Sequence, residues 1–177
     1  MISPPDSTIA IRRITTATAA EIEGLADVLI DCVDGGASVS FMHPVPKETA
    51  LAFWRTVATQ TKAGERALIV AEDASGIVGT VQVVLAQPEN QPHRGDLSKM
   101  LVHRRARRRG LGERLMRAAE DAAREAGKTL LVLDTADATA ERLYRRLGWV
   151  HAGTIPGYAL WPKGGFCDTQ YFYRRLD

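Results

Sequence analysis

The sequence has no apolar run approaching the roughly 20 residues that a membrane-spanning helix takes. Its first residues, Met1-Ile2-Ser3-Pro4-Pro5-Asp6, lack the basic-then-apolar order of a secretory signal. The expectation is a cytoplasmic protein that does not engage membranes. Cysteine is scarce. Cys32 and Cys167 stand far apart and outside any CxxC pair, which argues against a disulfide framework and a thiolate metal site. Both read as small buried hydrophobes. The four histidines, His43, His93, His103 and His151, show neither HxxxH nor HxH spacing, and no Cys or carboxylate lies at zinc-like intervals from them. No metal is expected, and His43 reads as a surface histidine. An excess of one charge is missing too: the formal net charge is +2, with 25% of residues charged and 45% hydrophobic. Such a chain is not of the disordered class, and its 177 residues suffice for one core. A single domain over residues 1–177 is expected, with about the first eight residues flexible.

What is present alternates between two hydrophobic periods. Ile9-Ala10-Ile11-Arg12-Arg13-Ile14 has a strand's alternation, and Thr18 can cap a helix whose Ile22, Leu25, Val28 and Leu29 recur at helical spacing. Small and turn-forming residues at 34–40 mark a loop, and a second amphipathic helix with Leu51, Phe53, Trp54 and Val57 is expected over 46–62, ending at Gly64. Two β runs, 67–71 and 77–85, read as a hairpin. A strand over 95–102, a helix over 110–126, a short buried strand over 129–134 and a helix over 138–147 follow. Two last strands are expected after Trp149 and Asp168. The order β-α-α-β-β-β-α-β-α-β-β implies an α/β fold: a mixed sheet covered by helices on both faces. No repeat or low-complexity segment interrupts it.

The stretch Leu97-Ser98-Lys99-Met100-Leu101-Val102, then residues 103–106, then Arg107-Arg108-Arg109-Gly110-Leu111-Gly112 is a strand, a glycine-bearing turn and a helix start. Glycines there let a ligand approach the backbone, and the free N–H groups of a first helical turn form an anion site. Five arginines among residues 104–109 strengthen the local field and favour a ligand with several phosphates. A bare arginine run reads equally as a solvated surface or a nucleic-acid patch. Here the glycines tilt it towards a coenzyme, and no aromatics interleave with the arginines as in a single-strand binder. Gly110-Leu111-Gly112 lacks the third glycine of a dinucleotide fingerprint. Gly127-Lys128-Thr129 lacks a P-loop's first glycine, which would fall at Ala122.

Arg107, Gly110 and Gly112 match the [Arg/Gln]-x-x-Gly-x-[Gly/Ala] signature of the GNAT acetyltransferases. Ala140-Glu141-Arg142-Leu143-Tyr144-Arg145-Arg146-Leu147-Gly148-Trp149 resembles that family's Ala-x-x-[Leu/Phe]-Tyr-x-x-x-Gly-[aromatic] segment. One position departs: the family often has Asn three residues before the Ala, and here Asp137 stands there.

The resemblance implies a central mixed sheet of about seven strands, acetyl-CoA as cosubstrate, and direct transfer of acetyl to a primary amine in a ternary complex. It places the pantetheine along Met100, Leu101 and Val102, and the pyrophosphate at Arg107, Arg108, Arg109, Gly110, Leu111 and Gly112. Ala140 and Tyr144 complete the coenzyme site. Tyr144 is the implied acid for the departing thiolate, and Asp96 or Asp134 the base for the amine. A further set, including Gly35-Gly36-Ala37-Ser38-Val39 and Pro156-Gly157-Tyr158, is similar to family members that acetylate amino-acid-like toxins. By the habit of the family the chain is a homodimer, with a small-molecule partner and no nucleic acid. Two alternatives stand beside it, a non-catalytic acyl-CoA-binding regulatory domain and, less favoured, a nucleic-acid-binding module using the arginine cluster. Acceptor choice is expected to rest with the 34–46 loop, the second helix and residues 155–167.

Overall fold

The computed structural model describes residues 8–176, so residues 1–7 of the expected flexible N-terminus lie outside the described residues. Strand β1 (Ala10–Ile14) leads into α1 (Ala19–Asp34) and α2 (Lys47–Lys62), then β2 (Arg66–Asp73), β3 (Gly76–Val84) and β4 (Arg94–Val102). A 3-10 turn (Arg104–Ala106) precedes α3 (Leu111–Glu125), followed by β5 (Leu130–Thr135), α4 (Ala138–Arg146), β6 (Val150–Leu160) and β7 (Phe166–Arg175). The element order is the expected one.

Local chemistry explains the ends. Thr18 and Glu21 form a reciprocal capping box, satisfying two orphan N–H groups at the start of α1. The buried stripe of α1 contains Leu25, Val28, Leu29 and Cys32, and that of α2 contains Leu51, Trp54 and Val57. The last strand starts at Phe166, ahead of the expected Asp168. The bend at 161–165 is tight: Gly164 and Gly165 take positive φ, and the Trp161 and Gly165 backbones bond to each other, so pairing with β6 resumes earlier.

The seven strands form one mixed sheet in the order β1-β2-β3-β4-β5-β7-β6. Helices α1 and α2 pack on one face, with Leu25, Leu29, Trp54, Leu68, Val70 and Leu101 among their core. On the other face α3 and α4 join Ile69, Val81, Val83, Leu131 and Phe172 through Leu115, Met116 and Tyr144. This is the mixed seven-stranded sheet, with helices on both faces, that the resemblance implies.

Two irregularities of β4 position the site. Thr80 faces Leu101 and Gln82 faces Ser98, leaving two residues of β4 opposite one of β3, and Lys99 takes φ +51°. This bulge reverses the strand's facing: Leu97 packs on the α3 side and Leu101 on the α1–α2 side. The strand expected over 95–102 is present as Arg94–Val102, with the bulge within it. Moreover, β4 pairs with β5 in parallel only through Arg94, Gly95 and Asp96 against Leu130, Leu131 and Val132. Past that point β4 stays with β3 and β5 with β7, so the sheet opens between them.

Candidate functional site

The opening is a cleft of about 610 Å³. Its walls are the parted halves of β4 and β5, the turn before α3, the start of α3, and α4. Of the residues named as coenzyme-binding, Met100, Leu101, Val102, Arg107, Arg108, Gly110, Leu111, Gly112, Ala140 and Tyr144 line it, and Arg109 does not.

The α3 end is shaped by backbone. Gly110 caps the helix at φ +70°, a conformation in which a Cβ is strained, and it cannot supply a capping side chain. The first-turn N–H groups therefore face the cleft without a side-chain acceptor at the cap. At Gly112 an added Cβ meets Leu143 Cδ2 at 2.8 Å, so glycine permits the close approach of α3 to α4. The turn is pinned from behind by Asp31 of α1. One Asp31 oxygen accepts from the Arg104 backbone N–H at 2.9 Å and the other from the Arg104 guanidinium at 2.7 Å. Burial pushes the Asp31 carboxyl up, but the Arg104 bonds and the nearby His103 outweigh it and hold the group below its ordinary value.

The arginine run does not act as one patch. Arg104 is committed to Asp31, and Arg105 to Asp73 at 3.0 Å and to Ser75. Arg107 lies against the Val102 carbonyl and Cys32 Sγ, and with Arg108 it faces the cleft. The field expected from five arginines is delivered to the cleft by two of them.

Tyr144 is buried between Trp149 and Phe172, with ring centroids 6.1 and 5.9 Å away, yet it lines the cleft. Burial first, then the charges of Asp137 and Asp134, push its phenol well above the ordinary value. Asp134 lies across the cleft floor on β5, where its Oδ2 accepts from Thr169 Oγ1 at 2.7 Å. Asp96 is not brought to the cleft wall. It is held at 3.3 Å by Arg94 and at 3.3 Å by Gln87. Asp137, at the position where the family often has Asn, caps α4 by accepting from the Thr139 and Ala140 N–H groups at 2.6 and 2.9 Å.

Cys32 and Cys167 are both buried and unbridged. His43 pairs with Asp34 at 2.9 Å, away from the cleft lining. Among the described residues no cluster of three or more metal-type ligands occurs, and no helix is long and apolar enough to cross a membrane. The sequence reading missed Ser98 and Lys99 of the cleft wall. A lysine between Ser98 and Met100 in a buried strand was the available signal, but its direction depends on the bulge.

Residues 64–151 match the model of the acetyltransferase (GNAT) domain. Over that stretch the chain is similar to GNAT acetyltransferase domains. An uncharacterized N-acetyltransferase of Azospirillum brasilense is 29% identical over 168 residues, covering 92% of this chain and 98% of that protein. Two solved structures share the fold of this chain. One is yncA from Salmonella typhimurium, solved with acetyl-CoA, at 21% identity and TM-score 0.79, covering 97% of this chain and 95% of that one. The other is a phosphinothricin acetyltransferase from Sinorhizobium meliloti in complex with acetyl-CoA, at 19% identity and TM-score 0.77, covering 96% and 89%.

Proposed function

We propose that the chain is an acetyl-CoA-dependent N-acetyltransferase that transfers acetyl directly to a primary amine of a small, amino-acid-like molecule. The observation that carries this reading is the cleft between the parted strands, with the glycine-capped start of α3 at its rim and Tyr144 and Asp134 both on its walls. The residues fit a coenzyme A tail. The α3 amides, with Arg107 and Arg108, would hold the pyrophosphate, and the glycine at 112 lets α3 close against Leu143 of α4 at the cleft rim. When bound, acetyl-CoA supplies the acyl thioester.

The remaining work falls to side chains. An ordinary alkylamine with a pKa of ~10.4 is about one part in a thousand neutral near pH 7.4, a cost of roughly 4 kcal/mol. Asp134 is the better placed of the two expected bases, being on the cleft wall whereas Asp96 is held by Arg94. Tyr144, its phenol raised by burial, keeps its proton at working pH and can donate it to the departing thiolate. Holding both partners in one cleft replaces a bimolecular encounter, an effect of up to roughly 7 to 11 kcal/mol.

For the acceptor class, residues 35–39, Phe41-Met42 and Pro156-Gly157-Tyr158 also resemble the tabtoxin resistance protein, which acetylates an amino-acid toxin. A protein of the same fold is a phosphinothricin acetyltransferase. We place the enzyme in the cytoplasm. Val150, Ile155, Leu160 and Phe166, all exposed on the β6–β7 hairpin, support a homodimer.

The test is titration of the purified protein with acetyl-CoA at moderate salt, beside Gly110→Ala/Gly112→Ala. Micromolar binding that the double variant loses supports the reading. No binding by the unaltered protein overturns it.

A further inference from the structure

On the sheet face covered by α2 lies a group of cations that the transfer reaction leaves unused. Arg66 of β2 donates from Nε to Gln60 at 2.6 Å and from Nη1 to Gln82 Oε1 at 2.9 Å. Lys99, at the β4 bulge, reaches Ser40 Oγ at 3.3 Å and sits 5.7 Å from the centre of the Phe53 ring. All of these partners are neutral. Among the described residues no carboxylate comes within 4.0 Å of either cation. By contrast Arg12, Arg104 and Arg105, all more open to solvent, each hold an acid at 2.7 to 3.0 Å.

Uncompensated positive charge is costly where water is scarce. Burial first, then the charge of Arg66, pulls the Lys99 ammonium below its ordinary value, against an opposing contribution from Asp134. Burial likewise lowers the Arg66 guanidinium, with Glu65 opposing. An independent observation lies beside them: Gln82 is fully buried, and while its Oε1 takes the Arg66 bond, its Nε2 has no partner. Native buried donors are rarely left so. Arg66 and the orphaned Gln82 N–H donor thus lie behind Lys99, Gln82 facing Ser98 across the sheet, and Lys99 alone of the three lines the cleft, with Ser98 and Asp134.

We propose that Lys99, with Arg66 and Gln82 behind it, holds an oxyanion of the acceptor, so that the acceptor is a small amine that also carries a carboxylate or an equivalent anion. This rests on the acetyltransferase reading and narrows it. The anion anchors at Lys99, which leaves the amine on the Asp134 side of the cleft. Charge-assisted donors fix position as well as affinity, so the site selects amino acids over plain amines.

The experiment compares kcat/KM by thiol release for the common α-amino acids and phosphinothricin, each beside its α-carboxamide. The same compounds are scored for their effect on Tm with coenzyme A present. At least one acid should exceed its carboxamide by roughly tenfold or more, and raise Tm where the carboxamide does not. Lys99→Met, with Lys99→Gln as a second variant, should bring that ratio near one while the Kd for acetyl-CoA stays within about twofold. Phosphinothricin that tolerates the carboxamide change but fails with Lys99→Met assigns the site to the phosphinate. Carboxamides accepted as well as acids, an equal loss on both in the variants, or no response to any acid overturns the proposal. Failure of the unaltered protein to bind acetyl-CoA sinks the transferase reading alone. A Tm rise with acids that Lys99→Met abolishes would still uphold the anion site.

Discussion

The two sides of the molecule that meet at the cleft are built differently. The α3 wall is made of backbone: first-turn amides, a glycine at φ +70°, and a glycine that lets α3 and α4 touch, with its polar side chains matched as in the Asp31 and Arg104 pair. The α2 side and the β6–β7 hairpin are made of side chains, among them Phe41, Phe53 and Tyr158, none of which lines the cleft, and Lys99, which does, with exposed apolar groups and an unpartnered amide nearby. The family match at 64–151 takes in the first wall and, of the second, Lys99 and Gln82, while α1, α2 and β7 lie outside it. A wall that works through amides constrains few side-chain identities, so a short motif with two glycines can specify it. A wall that works through side chains is free to differ from one acceptor to the next.

The comparison breaks most visibly in stability. Leu115 of α3 is fully buried against the sheet, so Leu115→Ala should cost about 2–5 kcal/mol by denaturant unfolding. Met42, 49% exposed in the loop before α2, should tolerate Met42→Ala within about 0.5 kcal/mol. Equal losses at the two positions would mean that the acceptor-side loop carries as much of the fold as the coenzyme wall.

Where the walls meet, the effects are on rate. Tyr144→Phe removes the hydroxyl but keeps the ring between Trp149 and Phe172, so kcat should fall by roughly tenfold or more with little change in acetyl-CoA affinity. An unchanged kcat, with chemistry shown to be rate-limiting, would leave Tyr144 as a packing residue. Asp134→Asn should lower kcat/KM by roughly tenfold or more, and Asp96→Asn by much less, because Asp96 is engaged by Arg94 off the cleft wall. The reverse ranking would move the base to Asp96.

The fold was largely legible because its elements announce themselves locally. The Thr18 and Glu21 box, the stripe Leu25, Val28 and Leu29, and the glycines at 64, 127 and 148 need no tertiary knowledge to read. The rim of the site was legible for the same reason, since Arg107, Gly110 and Gly112 lie within six residues. What escaped depends on pairing. The β4 bulge turns Lys99 towards Phe53 and Ser40, and no periodicity in 97–102 foretells it. Likewise the arginine run looked like one patch until Asp31 and Asp73, 73 and 32 residues distant, claimed Arg104 and Arg105.

The smallest effect tests a residue that serves the coenzyme wall while departing from the family's habit. Asp137 caps α4 through two N–H groups, so Asp137→Ala should cost about 1 kcal/mol, whereas Asn caps as well as Asp and Asp137→Asn should stay within a few tenths. The carboxylate has a second consequence that the cap does not share. Its negative charge disfavours a phenolate at Tyr144, which burial already disfavours more strongly. Both substitutions remove that charge, so in both the Tyr144 phenol should titrate at lower pH than in the unaltered protein, as read from tyrosinate absorbance against a Tyr144→Phe background. If Asp137→Asn keeps the stability and lowers the phenol, cap and charge are separate contributions of one side chain. If Asp137→Ala lowers it no further, burial of Tyr144 does not depend on the cap.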